Sequence, residues 1–155
     1  MGFQIRKDAR RWFKYLEKDY DLLFDPYYWC LTAGFASGHR DSVKSDEVDD
    51  FVEYFPGDYK SQGRLLVGLL IHAELRRLAI DLKERDAVYK VIKEIVDPES
   101  PSYMSLDGIK RMNAYAHGGF DVLSEELEER PRSMETFVRS YAKIVSKLYQ
   151  DRSQK

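Results

Sequence analysis

Histidine and cysteine, two residue types that often perform catalysis, are scarce in this sequence. It contains three histidines and a single cysteine, Cys30. The pair His72 and Glu74 matches the beginning of the signature of zinc-dependent nucleobase deaminases, but the cysteine pair that completes that signature is missing. Residues two positions apart on a helix do not face each other, so these two side chains cannot share one ligand site. We therefore expect no zinc site here, and we expect His72 to pack in the core or at its edge.

Cys30 is the other candidate for covalent chemistry. A cysteine acts as a nucleophile when a neighbouring group lowers the pKa of its thiol, and His39 or His117 would have to do so here. The flanking Trp29 and Leu31 instead indicate a cysteine buried on an aromatic helix, where it behaves as a small hydrophobic residue. We expect no catalytic role for Cys30.

Metal-dependent hydrolysis would require clustered carboxylates or histidines. The only plausible cluster is formed by Asp46, Asp49 and Asp50. The pair Gly118 and Gly119 lacks the following lysine and hydroxyl residue of a phosphate-binding loop. We therefore expect no catalytic residue, no bound metal and no cofactor.

The elements that would position these residues are predicted to be helices. The chain has 155 residues, 34% of them charged, with a mean hydropathy of −0.56. This length predicts a single domain over residues 1–155, and the composition excludes a membrane protein and a disordered chain. Apolar residues at helical spacing predict an all-α bundle of five to seven helices. The predicted helices span about 7–18, 27–38, 62–83, 84–96 and 105–129, and a last one begins near residue 133. The glycine pair would kink or break the helix over 105–129.

Two segments differ in composition from the rest of the chain. Residues 1–20 are predicted to form a basic, aromatic N-terminal helix, and residues 41–60 an acidic connector with a net charge of −5. In the connector we expect a short helical turn around residues 46–54. The longest apolar run, residues 65–71, is too short to span a bilayer, and the N-terminus lacks the apolar segment of a signal peptide. We therefore expect a cytoplasmic protein with no membrane partner.

Aromatic residues concentrate near the N-terminus. Eight of the 21 lie within residues 12–29, more than one helical stripe can bury. A docking surface for another protein accounts for the surplus. The alternatives are packing beneath the acidic connector and stacking on nucleic-acid bases. The residues predicted to bind a partner protein are Trp12, Phe13, Tyr15, Tyr27 and Tyr28.

Charge is balanced overall but segregated along the chain. The net charge is −2, yet residues 6–14 and 139–155 each carry +4, while residues 121–135 carry −4. If the termini lie close together, their basic residues would form one patch that binds phosphates. The candidate DNA-binding residues are Arg6, Lys7, Arg10, Arg11, Lys14, Lys143 and Lys147.

Residues 112–123, which read MNAYAHGGFDVL, resemble a signature of small accessory proteins of Dnd islands. These islands encode bacterial DNA phosphorothioation and the associated restriction of foreign DNA. Residues 24–25 and 33–40 also resemble the first core helix of that family, and the similarity covers roughly residues 20–140. The resemblance implies a context of antiphage defence and carries over no catalytic residue. Its structural motif comprises Tyr115, His117, Gly118, Gly119 and Phe120, with histidine where the family has asparagine.

These observations rank three functions. We expect a non-enzymatic helical adaptor of a bacterial antiphage defence system that docks on a larger protein of the same system. The alternative is a DNA-binding or regulatory protein that uses its basic termini, and the third is a small metal-dependent nuclease. A second copy of the chain is a further candidate partner.

Overall fold

The computed structural model describes residues 2–153, apart from the side chain of residue 153. The fold is mainly helical and includes a small two-stranded antiparallel sheet. The helical prediction is therefore confirmed, but the all-α prediction is wrong because of this sheet. The strands are β1 (Phe3–Arg6) and β2 (Val48–Val52), and the helices are α1 (Lys7–Trp12), α2 (Phe24–Ser37), α3 (Gly63–Arg77), α4 (Arg85–Ile95), α5 (Leu106–Leu127) and α6 (Met134–Ser153). Short 3-10 helices cover Lys14–Asp19, Ser45–Glu47 and Gly57–Tyr59.

The two strands of the sheet occupy segments that were predicted to be helical. In β1, Phe3 and Ile5 are buried while the residues between and after them are partly exposed, which is the alternation of a strand. The helical turn predicted around residues 46–54 is wrong, because β2 occupies most of that range. Strand pairing joins distant parts of a chain, so the pattern of the connector alone does not reveal it.

The N-terminal helix is shorter than predicted, whereas the next helix ends where expected. The predicted helix over residues 7–18 ends at Trp12, and a 3-10 helix follows it. At this break Phe13 turns into the core, 5.5 Å from the ring of Phe137 and 5.4 Å from that of Trp29. Helix α2 ends at Gly38, whose φ of 76° lies in the left-handed region that glycine adopts at little cost.

The glycine pair does not break α5, which is one continuous helix over Leu106–Leu127. A Cβ atom at Gly119 would overlap the carbonyl oxygen of Cys30, and one at Gly118 would overlap the carbonyl oxygen of His39. Both glycines therefore allow the backbones of α5, α2 and the segment after α2 to approach closely. Gly34 has the same role in α2, where a Cβ atom would overlap the carbonyl oxygen of Tyr115.

The described residues form two compact units. Unit 1 comprises residues 2–3 and 52–112, and unit 2 comprises residues 4–51 and 113–153. In unit 1, α3 packs against α4, and the most deeply buried apolar residues include Leu66, Leu70, Val91 and Ile95. In unit 2, α2 packs against α6, around a core of Ile5, Ala9, Phe13, Leu16, Cys30, Ala33, Phe120, Leu123, Phe137 and Ile144. The single domain over residues 1–155 remains a prediction.

Candidate functional site

The predicted aromatic docking surface lies largely inside unit 2. Phe13 has no exposed surface and Tyr27 only 1%, so these two residues form core, and their assignment to a partner surface is corrected. Trp12 and Tyr28 are half-buried. Only Tyr15 of the predicted set is largely exposed, at 53%.

Tyr27 packs beneath the acidic connector, as one of the alternatives held. Its ring lies 5.6 Å from that of Phe51 in β2, and the ring of Phe24 lies 6.1 Å from the same residue. The hydroxyl of Tyr27 donates to Oδ1 of Asn113 at 2.9 Å, and burial raises its pKa well above the usual value. These contacts account for part of the aromatic surplus near the N-terminus without a partner.

Arg6 is engaged by three carboxylates rather than presented to solvent. Its Nε donates to Oδ1 of Asp8 at 2.9 Å and its Nη1 to Oδ1 of Asp121 at 2.7 Å, while Oδ2 of Asp41 lies 3.7 Å from Nη1. Burial alone would lower the pKa of Arg6, but the hydrogen bonds to Asp8 and Asp121 outweigh it, and the pKa is raised. The guanidinium also lies over the ring of Phe120, 5.0 Å from the ring centroid. The surrounding carboxylates neutralise the charge of Arg6 inside unit 2.

The acidic connector continues this neutralisation along α1. Arg10 donates to Oδ2 of Asp49 at 3.1 Å. A groove of about 360 Å³ beside α1 is lined by residues of both charges: Arg6, Lys7, Asp8, Arg11, Val43, Asp46 and Glu47. This mixture weakens the attraction of the basic helix for phosphate. The other predicted DNA-binding residues, Lys7, Arg11, Lys14, Lys143 and Lys147, are exposed, with Lys147 3.8 Å from Glu126.

His117 and the residues of the motif around it pack inside unit 2. Tyr115 is buried against Phe35, with their rings 5.3 Å apart. The His117 side chain is buried, and burial together with the charge of Arg6 lowers its pKa to about 4, so it is neutral at pH 7. It borders a cavity of about 10 Å³, shared with Cys30, which has room for about one water molecule. The motif therefore has a packing role in this fold.

The residues considered for catalysis do not form a reactive arrangement. Cys30 is buried in unit 2, and burial raises the pKa of its thiol, which disfavours the thiolate. Asp49, from the proposed metal cluster, pairs with Arg10. Within residues 2–153, no group of three or more histidine, cysteine, aspartate or glutamate side chains is arranged to hold a metal ion.

Helix α3 of unit 1 presents a different surface. Glu74 lies on the interior face of α3 and is fully buried. It accepts a hydrogen bond from Arg77 Nε at 2.6 Å and one from Arg111 Nη1 at 3.3 Å. Because residues 72 and 74 point in different directions on a helix, the burial of Glu74 places His72 on the exposed side. The expectation that His72 packs in the core or at its edge is therefore wrong.

The exposed side of α3 is apolar at its centre. Leu65 is 63% exposed, Leu69 is half-buried, and Gly68 between them is exposed. We call the surface formed by Leu65, Gly68, Leu69, His72 and Arg76 the outer α3 face. Six of the nine largely exposed apolar or tyrosine side chains lie in unit 1, and Leu65 is among them.

Comparison with protein-family models, with curated proteins and with solved structures finds no match to this chain. Among residues 2–153, no helix is both long and apolar enough to cross a membrane.

The outer α3 face was not among the sites predicted from sequence. The signal was nevertheless present, because the apolar residues 65–67 and 69–71 extend around about two thirds of the helix circumference. An apolar arc this wide predicts burial on more than the single face that an amphipathic surface helix buries. In the folded protein Leu65, at one edge of this arc, is largely exposed.

Proposed function

We propose that this chain is a non-enzymatic adaptor that binds a larger protein through the outer α3 face. The observation that supports the proposal is the exposure of Leu65 at the edge of the wide apolar arc of α3. Covering the exposed 63% of the Leu65 side chain would contribute about 1–2 kcal/mol to such an interface. The docking surface thus lies on α3 rather than on the aromatic N-terminal segment.

The cellular context of the proposal comes from the resemblance of residues 112–123 to the Dnd-associated accessory proteins. On this proposal the partner is a larger protein of the same antiphage defence system, in the cytoplasm. An adaptor needs no catalytic residue, which agrees with the packing roles of Cys30 and His117.

Direct DNA binding receives less support than protein binding. Arg6 and Arg10, two of the seven candidate residues, are paired with carboxylates of unit 2. A metal-dependent nuclease has no supporting observation in the described part of the chain. Neither function is needed to account for the exposed apolar surface of α3.

The test is isolation of the chain, tagged at its chromosomal position, from a bacterium that encodes it. The proposal predicts a complex of defined stoichiometry with one identified protein, measured by size-exclusion chromatography with light scattering. Because apolar contacts dominate the proposed interface, the complex should persist in high salt and after nuclease treatment, whereas DNA-mediated association would not. A monomer with no protein partner, or co-purification that nuclease treatment abolishes, would refute the adaptor function.

A further inference from the structure

Gly68 is the one glycine of the described α-helices for which the fold offers no reason. The five others, Gly34, Gly63, Gly108, Gly118 and Gly119, all lie where a Cβ atom would collide with a neighbour. At Gly68, outside the backbone of its own helix, no described atom lies within 4 Å of where a Cβ atom would be. Glycine in the middle of a helix is less stable than alanine. No contact within the described part of the chain therefore accounts for glycine at this position.

The five collisions show what helical glycines do in this protein. At Gly118 and Gly119 a neighbouring backbone comes so close that no side chain fits between. An exposed glycine on the outer α3 face, with the exposed Leu65 one turn away, provides the same close approach for a backbone that is not part of this chain. Glycine permits such a close approach because it has no Cβ atom.

We infer that the outer α3 face receives an amphipathic helix of a partner protein, whose backbone crosses α3 at Gly68 and whose flanks are acidic. The inference rests on the proposed adaptor function and adds to it the place of contact and the chemistry of the partner. Leu65 and Leu69 would pack against the apolar side of the incoming helix. The incoming helix would itself carry a small residue at the crossing point.

The charge of the exposed side of α3 determines which charge the flanks of the partner helix should carry. The only acidic residue of α3 is Glu74, which is buried and paired with Arg77 and Arg111. The exposed ionisable side chains of α3 are thus those of arginines and of His72. Acidic residues beside the apolar stripe of a partner helix would meet these arginines with opposite charge.

A second copy of this chain does not match this surface. A two-fold axis through Gly68 would place residue 64 of one copy against residue 72 of the other. It would thus bring Arg64 against His72 and would place no exposed carboxylate of α3 opposite the arginines, because Glu74 is buried. A partner with acidic flanks matches the charge of this surface better than a second copy does.

The test uses a photo-reactive phenylalanine analogue at position 65 of the full chain, expressed in a bacterium that encodes it. The matched control carries the same analogue at Leu106, which also lies in unit 1 and is similarly exposed, at 67% against 63%. The cross-linked peptide is sequenced by mass spectrometry. We expect position 65, but not position 106, to yield one helical segment of another protein with glutamate or aspartate beside its apolar stripe.

Affinity for the partner identified in this way is then measured with purified variants. Gly68→Leu adds a side chain at the proposed crossing point, where a Cβ atom would meet no described atom, and should weaken binding at least about tenfold. The control Ala142→Leu enlarges a side chain at another exposed helical position and should alter the affinity less than about twofold. Arg76→Glu should weaken binding, whereas Lys93→Glu on α4 should not. Circular dichroism checks that each variant keeps its helix content.

Several outcomes would overturn the inference. These are no cross-link from position 65, equal cross-linking from both positions, a cross-link to nucleic acid or to another copy of this chain, or a basic partner segment. Unchanged affinity of Gly68→Leu would also overturn it. If a stoichiometric protein complex forms but maps elsewhere on the chain, the adaptor function stands and only the outer α3 face is refuted.

Discussion

Replacing Gly119 by alanine perturbs the closest backbone approach inside unit 2. The added Cβ atom would overlap the Cys30 carbonyl oxygen and would lie 2.6 Å from the nitrogen of Gly34 and 2.7 Å from the carbonyl carbon of Cys30. Ordinary contacts between such atoms need about 3.2–3.5 Å, and the overlap with the Cys30 oxygen is the largest of the three, so the two backbones must separate by more than about 1 Å. All three atoms belong to the backbone of α2, which cannot give way by rotating a side chain.

The expected loss follows from this geometry. Overpacking a close-packed interior costs roughly 1–3 kcal/mol, and a backbone obstacle places Gly119→Ala toward the upper end. The better helix propensity of alanine offsets up to about 1 kcal/mol, which leaves a net loss of about 2 kcal/mol in the free energy of unfolding. For a chain of this size, the melting temperature should fall by roughly 4–8 °C.

Gly68→Ala is the matched control, because it makes the same chemical change in a helix where the new Cβ atom meets nothing. Only the propensity gain remains, so this variant should be more stable than the wild type by up to about 1 kcal/mol. Urea denaturation followed by circular dichroism measures both variants, and the slope of the transition should not change.

Two results would refute this reasoning. If Gly119→Ala is as stable as the wild type, then the backbones of α2 and α5 do not approach as closely as described. If Gly68→Ala is destabilised, then part of the chain covers Gly68, and the inference about a partner helix loses its basis.

Three further predictions test the burial and charge assignments. In urea titrations, Phe13→Ala should lower the free energy of unfolding by about 3–5 kcal/mol, and Tyr15→Ala should lower it by no more than about 0.5 kcal/mol. A larger loss for Tyr15→Ala than for Phe13→Ala would contradict the assignment of Phe13 to the core. Glu74→Gln should cost about 1.5–3 kcal/mol because it removes the buried carboxylate that accepts hydrogen bonds from Arg77 and Arg111, although Arg111 keeps its pairs with Glu94 and Asp107. Glu125→Gln, the same change at an exposed position, should cost far less, and thermal melts showing equal losses would contradict the buried network. Burial lowers the pKa of His117 in the folded state to about 4, below the usual 6.5, so the unfolded chain binds the extra proton first. Stability should fall as pH drops from about 6.5 toward 4, and the fall should be smaller in His117→Gln. Identical pH profiles for that variant and the wild type would show that His117 is not buried in its neutral form.

Local features of the chain were sufficient to predict several parts of the fold. The end of α2 at Gly38 followed from the glycine itself, because few other residues adopt the left-handed conformation found there. The starts of α3 and α4 followed from apolar spacing, which depends only on residues three and four apart, but α3 ends at Arg77 and not near residue 83 as predicted. The candidate site was harder to predict from the sequence. The N-terminal aromatic cluster predicted a docking surface, but much of that cluster is buried in the core of the folded protein.

The sheet and the three carboxylates around Arg6 could not be predicted in this way. Asp8 lies close to Arg6 in the sequence, but Asp41 and Asp121 come from distant segments. The charge count along the chain therefore predicted a basic surface at residues 6–14. Part of that charge is neutralised by contacts that form only in the folded protein. The same limit applies to β2, whose pairing partner β1 lies at the other end of a long segment.

By itself, the sequence determined that this protein is mainly helical, where its helices lie approximately, and that glycines occur at particular positions within them. Only the tertiary structure decided which aromatic residues are buried, which arginines are neutralised, and which glycine lacks a neighbour. The reason is physical: helix formation depends on residues within one or two turns, whereas burial and charge pairing depend on contacts between residues far apart in the chain. Gly34 and Gly68 are both glycines within helices, yet one meets a backbone and the other meets open space. That difference carries the inference of a partner helix at α3.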